Sequence, residues 1–307
     1  MNNTKLFMKN NIALIFVILV SNIASAQTKT DSIACLNLDK MTQVNQGESY
    51  VTFPFDIGNL EPLVFEANVS PNFKIRERKD SRLMAVLTPQ IIIRMFDEYS
   101  KPVKTPSYIP QIAFYYLTGD KQLPNKLTIF GKFAHHSNGQ DGDFYTENGD
   151  VNLQSGNFST NYVELGFLKS SYSRSFNAFN IVKSSFEIHP KEWMLEELRG
   201  QYSGFRWHNT FLAYKLPMNS NPIKGKEQRA NFSVKAETTW MLDNVNNWDT
   251  FDLNRLNLSL IVYYHPKFLE DIGFFVQFYH GMDYYNIYFQ HQISTIRFGI
   301  MTEILRF

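Results

Sequence analysis

Apolar and polar residues alternate along most of the chain after residue 60. From Ala230 to Trp240 the even positions are mostly apolar and the odd positions polar, and similar alternation runs from Arg255 to Tyr264 and from Ile272 to Phe278. Successive side chains of a strand point to opposite faces, so the pattern predicts strands with one apolar and one polar face. Apart from a short helical turn expected at Pro190 to Leu198, the chain is predicted to be all-β.

The spacing of the alternating segments predicts eleven or twelve strands. Bacterial barrels made of one chain have an even number of antiparallel strands, each about ten residues long. We therefore predict a twelve-stranded antiparallel transmembrane β-barrel, in which the second or the last segment holds two strands. The segments lie near residues 63–70, 84–96, 109–118, 126–137, 161–172, 177–188, 203–216, 229–241, 254–265, 271–280 and 288–307.

The contrast between the two strand faces favours a barrel over an extracellular sandwich. Aromatic residues make up 15% of the chain although the mean hydropathy is −0.28, a composition that either class allows. Charged residues, however, recur on the polar face. Charges in a sandwich core are costly unless paired, whereas a barrel interior can hold them as hydrogen-bonded ion pairs. The charged residues on this face are Glu164, Lys235, Glu237, Arg255 and Arg297.

The two ends of the chain point to export. Residues 1–26 resemble a secretory signal peptide, with Lys5 and Lys9 ahead of an apolar core and Ala24-Ser25-Ala26 at the cleavage site. Residues 27–60 are predicted to be a periplasmic lead-in and residues 61–307 the barrel. The terminal Phe307 is typical of outer-membrane barrels.

Hydropathy, cysteine content and net charge argue against a helical membrane anchor, a disulfide-stabilised fold and a nucleic-acid-binding protein. No stretch after the signal peptide approaches the ~20 apolar residues of a transmembrane helix. The single cysteine, Cys35, cannot form an internal disulfide. The net charge of +1 gives no electrostatic reason to expect a nucleic-acid partner.

The segment from Gly131 to Asn161 carries the candidate chemistry. Alternation places His135 and Ser137 on the same face as Phe133, and Asn161 on the apolar face of the returning strand. The apolar face therefore ends in a base, a hydroxyl and an amide. A water-soluble protein would bury this face, whereas a membrane barrel would turn it toward lipid.

Around these residues the chain resembles the outer-membrane phospholipase A family. The family signature H-x-S-N-G matches residues 135–139, and its Y-x-P-Q segment matches residues 108–111. Ser159 and Asn161 stand where the family has S-W-N. Asp283 to Asn286, together with Gln292, Arg297, Gly299 and Phe307, resemble its closing strands. The resemblance spans about residues 62–307.

The resemblance implies a phospholipase A1/A2 with its site on the lipid-facing wall of an outer-membrane barrel. Ser137 would be the nucleophile, His135 the general base and Asn161 the group that orients the imidazole. The backbone N–H of Gly139 would stabilise the oxyanion. The substrate would be a membrane phospholipid, and the active form would be a homodimer.

The resemblance also implies a calcium cofactor. In the family a backbone carbonyl three residues after the nucleophile binds Ca²⁺, which corresponds to Gln140. A loop serine ligand corresponds to Tyr145, which departs from the pattern, and the loop is about twice as long as in the family. Asp141, Asp143 and Glu147 offer hard oxygen ligands instead. Ser100 is the candidate for the ligand that the partner subunit contributes.

Two other functions are compatible with the sequence. A lipid A deacylase also places an H-x-S pair on a barrel exterior, although such barrels have about eight strands. A porin or structural barrel would carry the motif without activity. Porins usually have sixteen or more strands and an open lumen, whereas twelve strands with a charged inner face predict a lumen filled by side chains.

Overall fold

The computed structural model describes residues 36–54, 56–121, 123, 125–173, 178–215, 232–266, 268–269 and 271–302. The predicted signal peptide, Cys35 and Phe307 lie outside these residues. One α-helix, α1 (Leu38–Gln43), precedes a sheet of fourteen strands. The strands are β1 (Tyr50–Thr52), β2 (Ile57–Gly58), β3 (Leu63–Val69), β4 (Phe73–Ile75), β5 (Leu83–Phe96), β6 (Ser107–Thr118), β7 (Lys126–Ser137), β8 (Ser159–Ser173), β9 (Ala178–Ile188), β10 (Phe205–Lys215), β11 (Phe232–Met241), β12 (Leu256–Tyr264), β13 (Ile272–Met282) and β14 (Gln292–Thr302).

The sheet closes into a twelve-stranded antiparallel barrel, as predicted. β1 pairs with both β3 and β14, and β2 continues along β14, so that β1 and β2 form one interrupted strand. β3 and β5 to β14 supply the other eleven, and β4 is a short addition to β5. The twelfth strand was predicted in the wrong place, because the described residues of the second and of the last segment form a single strand each. It comes instead from β1 and β2, in the segment predicted as a lead-in.

The predicted faces of the late strands are confirmed. Phe274, Val276 and Phe278 of β13 are exposed on the outer wall, while Phe275 and Tyr279, at alternate positions, are buried. The outer positions of β11 and β12 are also apolar and exposed, among them Phe232, Val234, Leu260 and Val262. Exposed Leu, Ile, Val and Phe side chains thus cover the outer wall, which is the surface that a transmembrane barrel presents to lipid.

Buried ion pairs fill the interior near the site. Glu164 of β8 lies 2.5 Å from Lys132 Nζ and 2.6 Å from Lys183 Nζ. In a second network, Arg94 binds Glu66 at 2.7 Å and Asp283 through two hydrogen bonds, and Arg297 binds Glu66 at 2.8 Å. Each carboxylate has cationic partners, which offsets the cost of taking the charges out of water.

One charged residue assigned to the inner face lies elsewhere. Arg255 ends the 3-10 helix Leu253–Arg255 ahead of β12 and donates hydrogen bonds to the backbone carbonyls of Met241, the last residue of β11, and of the loop that follows it. It anchors that loop, because a guanidinium can satisfy several carbonyls that have no strand partner. Glu164, Lys235, Glu237 and Arg297 lie within their strands, and Lys235 pairs with Glu237 at 3.0 Å.

The segment ahead of β1 packs against the inner face of the barrel. Met41 of α1 is fully buried and contacts the hydroxyl of Thr128 on β7, while Asn45 donates to the hydroxyl of Tyr115 on β6. Lys126 donates to the Leu36 carbonyl at 2.5 Å. These contacts fill one end of the lumen with chain from the predicted lead-in. No helix among the described residues has the length and apolar character needed to cross a membrane.

Candidate active site

Ser137 and His135 end the same outward-facing row of β7. Phe133, two residues earlier in that row, is 46% exposed, whereas Ala134 and His136 on the other face are buried. The predicted direction of the row is therefore confirmed, and the hydroxyl and imidazole lie on the apolar outer wall. Alternate residues of a strand are separated by ~6.6 Å. Within the described residues the Ser137 hydroxyl makes no hydrogen bond with His135, a contact that apo hydrolases often lack.

Asn161 lies directly opposite His135 in the β7–β8 ladder. The Oδ1 atom of Asn161 is 2.9 Å from Nδ1 of His135, and its Nδ2 donates to the carbonyl oxygen of Trp193 at 3.2 Å. A carbonyl only accepts hydrogen bonds, so it fixes which end of the amide faces His135. The amide oxygen then accepts the Nδ1 proton, and Nε2 keeps its lone pair. This is the tautomer that a general base next to serine requires.

Trp193 is a site residue that sequence reasoning missed. The expected helical turn at residues 190–198 forms as two 3-10 helices, Lys191–Trp193 and Glu196–Leu198, in the segment between β9 and β10. The Trp193 indole packs edge-on against Phe133, with ring centroids 5.9 Å apart and planes at 79°. The mixture of charged and aromatic residues there indicated a helix but gave no signal of proximity to Asn161, which lies 32 residues away.

The turn after Ser137 is shaped by Asn138 and Gly139. Buried Asn138 accepts hydrogen bonds from the amides of Gln140 and Phe158 and donates to the Gly156 carbonyl, which ties the two ends of the long loop together. Gly139 has φ +67°, a left-handed conformation that favours glycine. A Cβ at this position would also lie 3.3 Å from the ring of Tyr108.

The backbone N–H of Gly139 is a suitable oxyanion donor. It lies two residues after Ser137, and it has no hydrogen-bond acceptor among the described residues. A free amide held by a rigid turn can stabilise negative charge without reorganising during the reaction. The role of Gly139 as oxyanion donor stays a prediction, and its N–H is free to take it.

The candidate calcium ligands are only partly brought together. Asp141 and Asp143 are exposed in the loop after Gly139, and Ser100 is exposed in the β5–β6 loop with φ +66°. The hydroxyl of Tyr145 accepts a hydrogen bond from Gln201 at 2.7 Å, so that one of its two lone pairs is already used. Across the described part of the chain, no three His, Cys, Asp or Glu side chains form a metal-binding group. The carboxylate and carbonyl oxygens among the candidates have suitable chemistry for Ca²⁺.

The inner side of the same strands is polar and well connected. Thr160, next to Asn161, lies 2.8 Å from Nδ1 of His189, and Nε2 of His189 lies 2.8 Å from Glu187. Burial lowers the pKa of His189, although Glu187 acts in the opposite direction. His136 faces inward, opposite to its neighbours His135 and Ser137, and packs against Phe158 at a centroid distance of 4.9 Å. This packing gives β7 and β8 a rigid inner support under the outer site.

Comparison with solved structures identifies the fold. Outer membrane phospholipase A from Escherichia coli matches with a TM-score of 0.56 and 11% identity, over 87% of this chain and 98% of that chain. Its active-site mutant, with alanine in place of an asparagine, matches with a TM-score of 0.53 and 12% identity, over 91% and 95% of the two chains. The Salmonella typhi outer membrane phospholipase dimer with bound calcium matches with a TM-score of 0.53 and 11% identity, over 90% and 94%.

Sequence comparison alone gives no match. No protein-family profile and no curated protein sequence matches the chain. The likeness therefore rests on the barrel, its strand number and its near-complete overlap with the solved enzymes. In its fold the chain is an outer-membrane phospholipase A-like β-barrel, an architecture of integral outer-membrane proteins.

Proposed function

We propose that the protein is an outer-membrane phospholipase that hydrolyses the acyl ester bonds of glycerophospholipids through Ser137, His135 and Asn161. The observation that carries the proposal is the 2.9 Å contact between His135 Nδ1 and Asn161 Oδ1 on the outer wall of the barrel. Because the oriented base lies on the apolar outer wall, the molecules that can reach it are the lipids around the barrel. The likeness to the solved phospholipases supports the same reaction class.

The reaction proceeds in two acyl-transfer steps. Ser137 Oγ attacks the ester carbonyl while Nε2 of His135 takes its proton. The Gly139 N–H donates to the oxyanion, and the imidazolium returns the proton to the departing lysophospholipid oxygen. Water, activated by the same imidazole, then attacks the acyl-serine ester, releasing the fatty acid and restoring Ser137. Asn161 holds the ring in one tautomer and one orientation through both steps.

Asparagine suits this position on the outer wall. An unpaired carboxylate facing lipid would be strongly disfavoured, whereas a neutral amide can orient the imidazole by a hydrogen bond alone. The second end of the amide is satisfied by the Trp193 carbonyl, so that no polar group of Asn161 lacks a partner.

Calcium and a second subunit are part of the proposal. The Gln140 carbonyl with Asp141 and Asp143 would hold the cation beside Gly139, and Ser100 of a second copy would complete the site. Calcium bound there would supply positive charge next to the developing oxyanion. The support is the oxygen-rich loop after Gly139 and the calcium-bound dimer of the Salmonella enzyme.

The direct test is fatty-acid release by the purified barrel. The full chain in detergent should release fatty acid from phosphatidylcholine with two different acyl chains, and the ratio of the two products reports the preferred ester position. Ser137→Ala should abolish release without changing the folded state. Undiminished release by this variant would refute the proposed nucleophile. A wild-type protein that acts on lipopolysaccharide but not on phospholipid would instead identify a lipid A deacylase.

A further inference from the structure

Trp193 joins two parts of the molecule that the proposed reaction needs together. Its carbonyl accepts the hydrogen bond from Asn161 Nδ2, and its indole packs on Phe133, which precedes His135 by two residues in the same outward row. One residue therefore contacts both strands of the site, at the amide of β8 and at the aromatic ring of β7.

The position of this carbonyl is set by a small number of contacts. The Trp193 amide donates to the Pro190 carbonyl at 2.9 Å, the Leu195 amide donates to the Ser159 carbonyl at 3.1 Å, and Met194 forms a bridge with Thr160. The segment is thus fastened to β8 immediately beside Asn161. The indole is 44% exposed, so its contact with Phe133 is the part of this arrangement that faces lipid.

We infer that Trp193 is a positioning residue, whose backbone carbonyl fixes the amide of Asn161 and thereby the tautomer of His135. The inference rests on the proposed function and adds a residue to it. If this carbonyl were displaced, Nδ2 of Asn161 would lose its acceptor, and no hydrogen bond would favour the orientation in which the amide oxygen faces His135. The rotated amide would present Nδ2 to the ring, which favours the Nε2-protonated tautomer and removes the base from Ser137.

Two substitutions separate this role from simple lipid contact. Trp193→Ala removes the ring that packs on Phe133, and Trp193→Phe keeps an aromatic group there. Misplacement of catalytic groups by about 1 Å costs on the order of 100-fold, so we expect Trp193→Ala to lower kcat by about 10- to 100-fold with little change in KM. Trp193→Phe should restore most of the rate. Trp207→Ala is the matched control, because Trp207 also lies on the outer wall but donates to Ser184, away from the site.

A second pair of variants acts on the backbone. Leu195 has φ −55° and follows Met194 in extended conformation, so proline fits the chain there. Leu195→Pro removes the N–H that donates to Ser159, whereas Leu195→Ala keeps that N–H and removes more of the side chain, so that a larger loss in the proline variant comes from the hydrogen bond. We expect the proline variant to lose more kcat than the alanine variant. This pair keeps the inference testable if Trp193→Ala does not fold.

The deciding readout needs no substrate. In ¹⁵N-histidine spectra of the detergent-solubilised barrel at alkaline pH, assigned by loss of a signal in His135→Gln, wild-type His135 should carry its proton on Nδ1. Trp193→Ala and Leu195→Pro should give a mixture of tautomers, and Trp207→Ala should not. An unchanged tautomer in both site variants, or a raised KM with unchanged kcat, overturns the inference. Because the spectra are independent of turnover, they remain informative even if Ser137 is not the nucleophile.

Discussion

The outer wall carries a second His–Ser pair, and its comparison with the candidate site is informative. His280 of β13 lies directly opposite Ser294 of β14, with Nδ1 2.6 Å from the hydroxyl. Like His135 in β7, His280 lies two residues from the end of its strand. The two pairs are six strands apart in the twelve-stranded barrel, on opposite walls.

The pairs differ in what surrounds the imidazole. Nδ1 of His135 is held by Asn161, which leaves Nε2 for the serine, whereas Nδ1 of His280 is occupied by Ser294 itself. The backbone amide of Ser294 is bound by Asn59 at 2.6 Å, while the amide of Gly139 has no acceptor in the described residues. A short His–Ser hydrogen bond is thus present in one pair and absent from the other. The orienting amide and the free backbone N–H distinguish the wall that carries the proposed active site.

The largest expected contrast is between the two serines. Ser137→Ala should lower phospholipid hydrolysis by on the order of 1,000-fold or more, because the proposed reaction forms its acyl intermediate on Ser137. Ser294→Ala should leave the rate within about twofold, because its hydroxyl bonds His280 on the opposite wall and takes no part in the proposed reaction. Fatty-acid release under identical detergent conditions measures the rates of both variants. Equal losses would show that the two serines do not differ in function.

Loss of the orienting amide should have the next largest effect. Asn161→Ala leaves His135 without its Nδ1 partner, and we expect kcat to fall by about 100-fold while KM changes little. His280→Gln removes the only base of the other pair and should have no effect on rate. If Asn161→Ala retained full activity, His135 would not depend on the amide for its orientation.

A smaller effect is expected from the turn after the nucleophile. Gly139→Ala forces a side chain into φ +67° and against Tyr108, so the oxyanion donor should shift and kcat should fall by about tenfold. Gly119→Ala is the matched control, since Gly119 has φ +69° with no atom within 4 Å of its Cβ position. The two variants bear similar backbone strain. An equal loss of activity in both would show that strain, and not displacement of the oxyanion donor, lowers kcat.

The smallest effect concerns single calcium ligands. Asp141→Asn should weaken Ca²⁺ binding by about tenfold, because the proposed site would lose one carboxylate charge and keep its other oxygen ligands. Glu98→Gln is a control, since Glu98 is an exposed carboxylate in the β5–β6 loop that pairs with Lys104 at 2.7 Å. Calorimetric titration with Ca²⁺ measures the affinity directly. An unchanged affinity in Asp141→Asn would exclude that side chain as a ligand.

The sequence predicted the barrel because strand alternation is a local property of the chain. It also predicted the outward row of His135 and Ser137, since one period-two pattern places both residues. β1 and β2 were assigned to the lead-in because their strand signals are weak and interrupted, and only pairing with β14 makes them part of the barrel. Trp193 and the loop role of Arg255 were missed because both act through backbone carbonyls, which leave no sequence signature.

The most direct test of the account is covalent labelling of the nucleophile. A fluorophosphonate reacts with an activated serine, and mass spectrometry of the digested barrel identifies the modified residue. We expect the label on Ser137 in the wild-type protein, a strong reduction in His135→Gln, and no label on Ser294. Labelling of Ser294, or labelling of Ser137 that persists undiminished without His135, would contradict the assignment of the active site to the wall formed by β7 and β8.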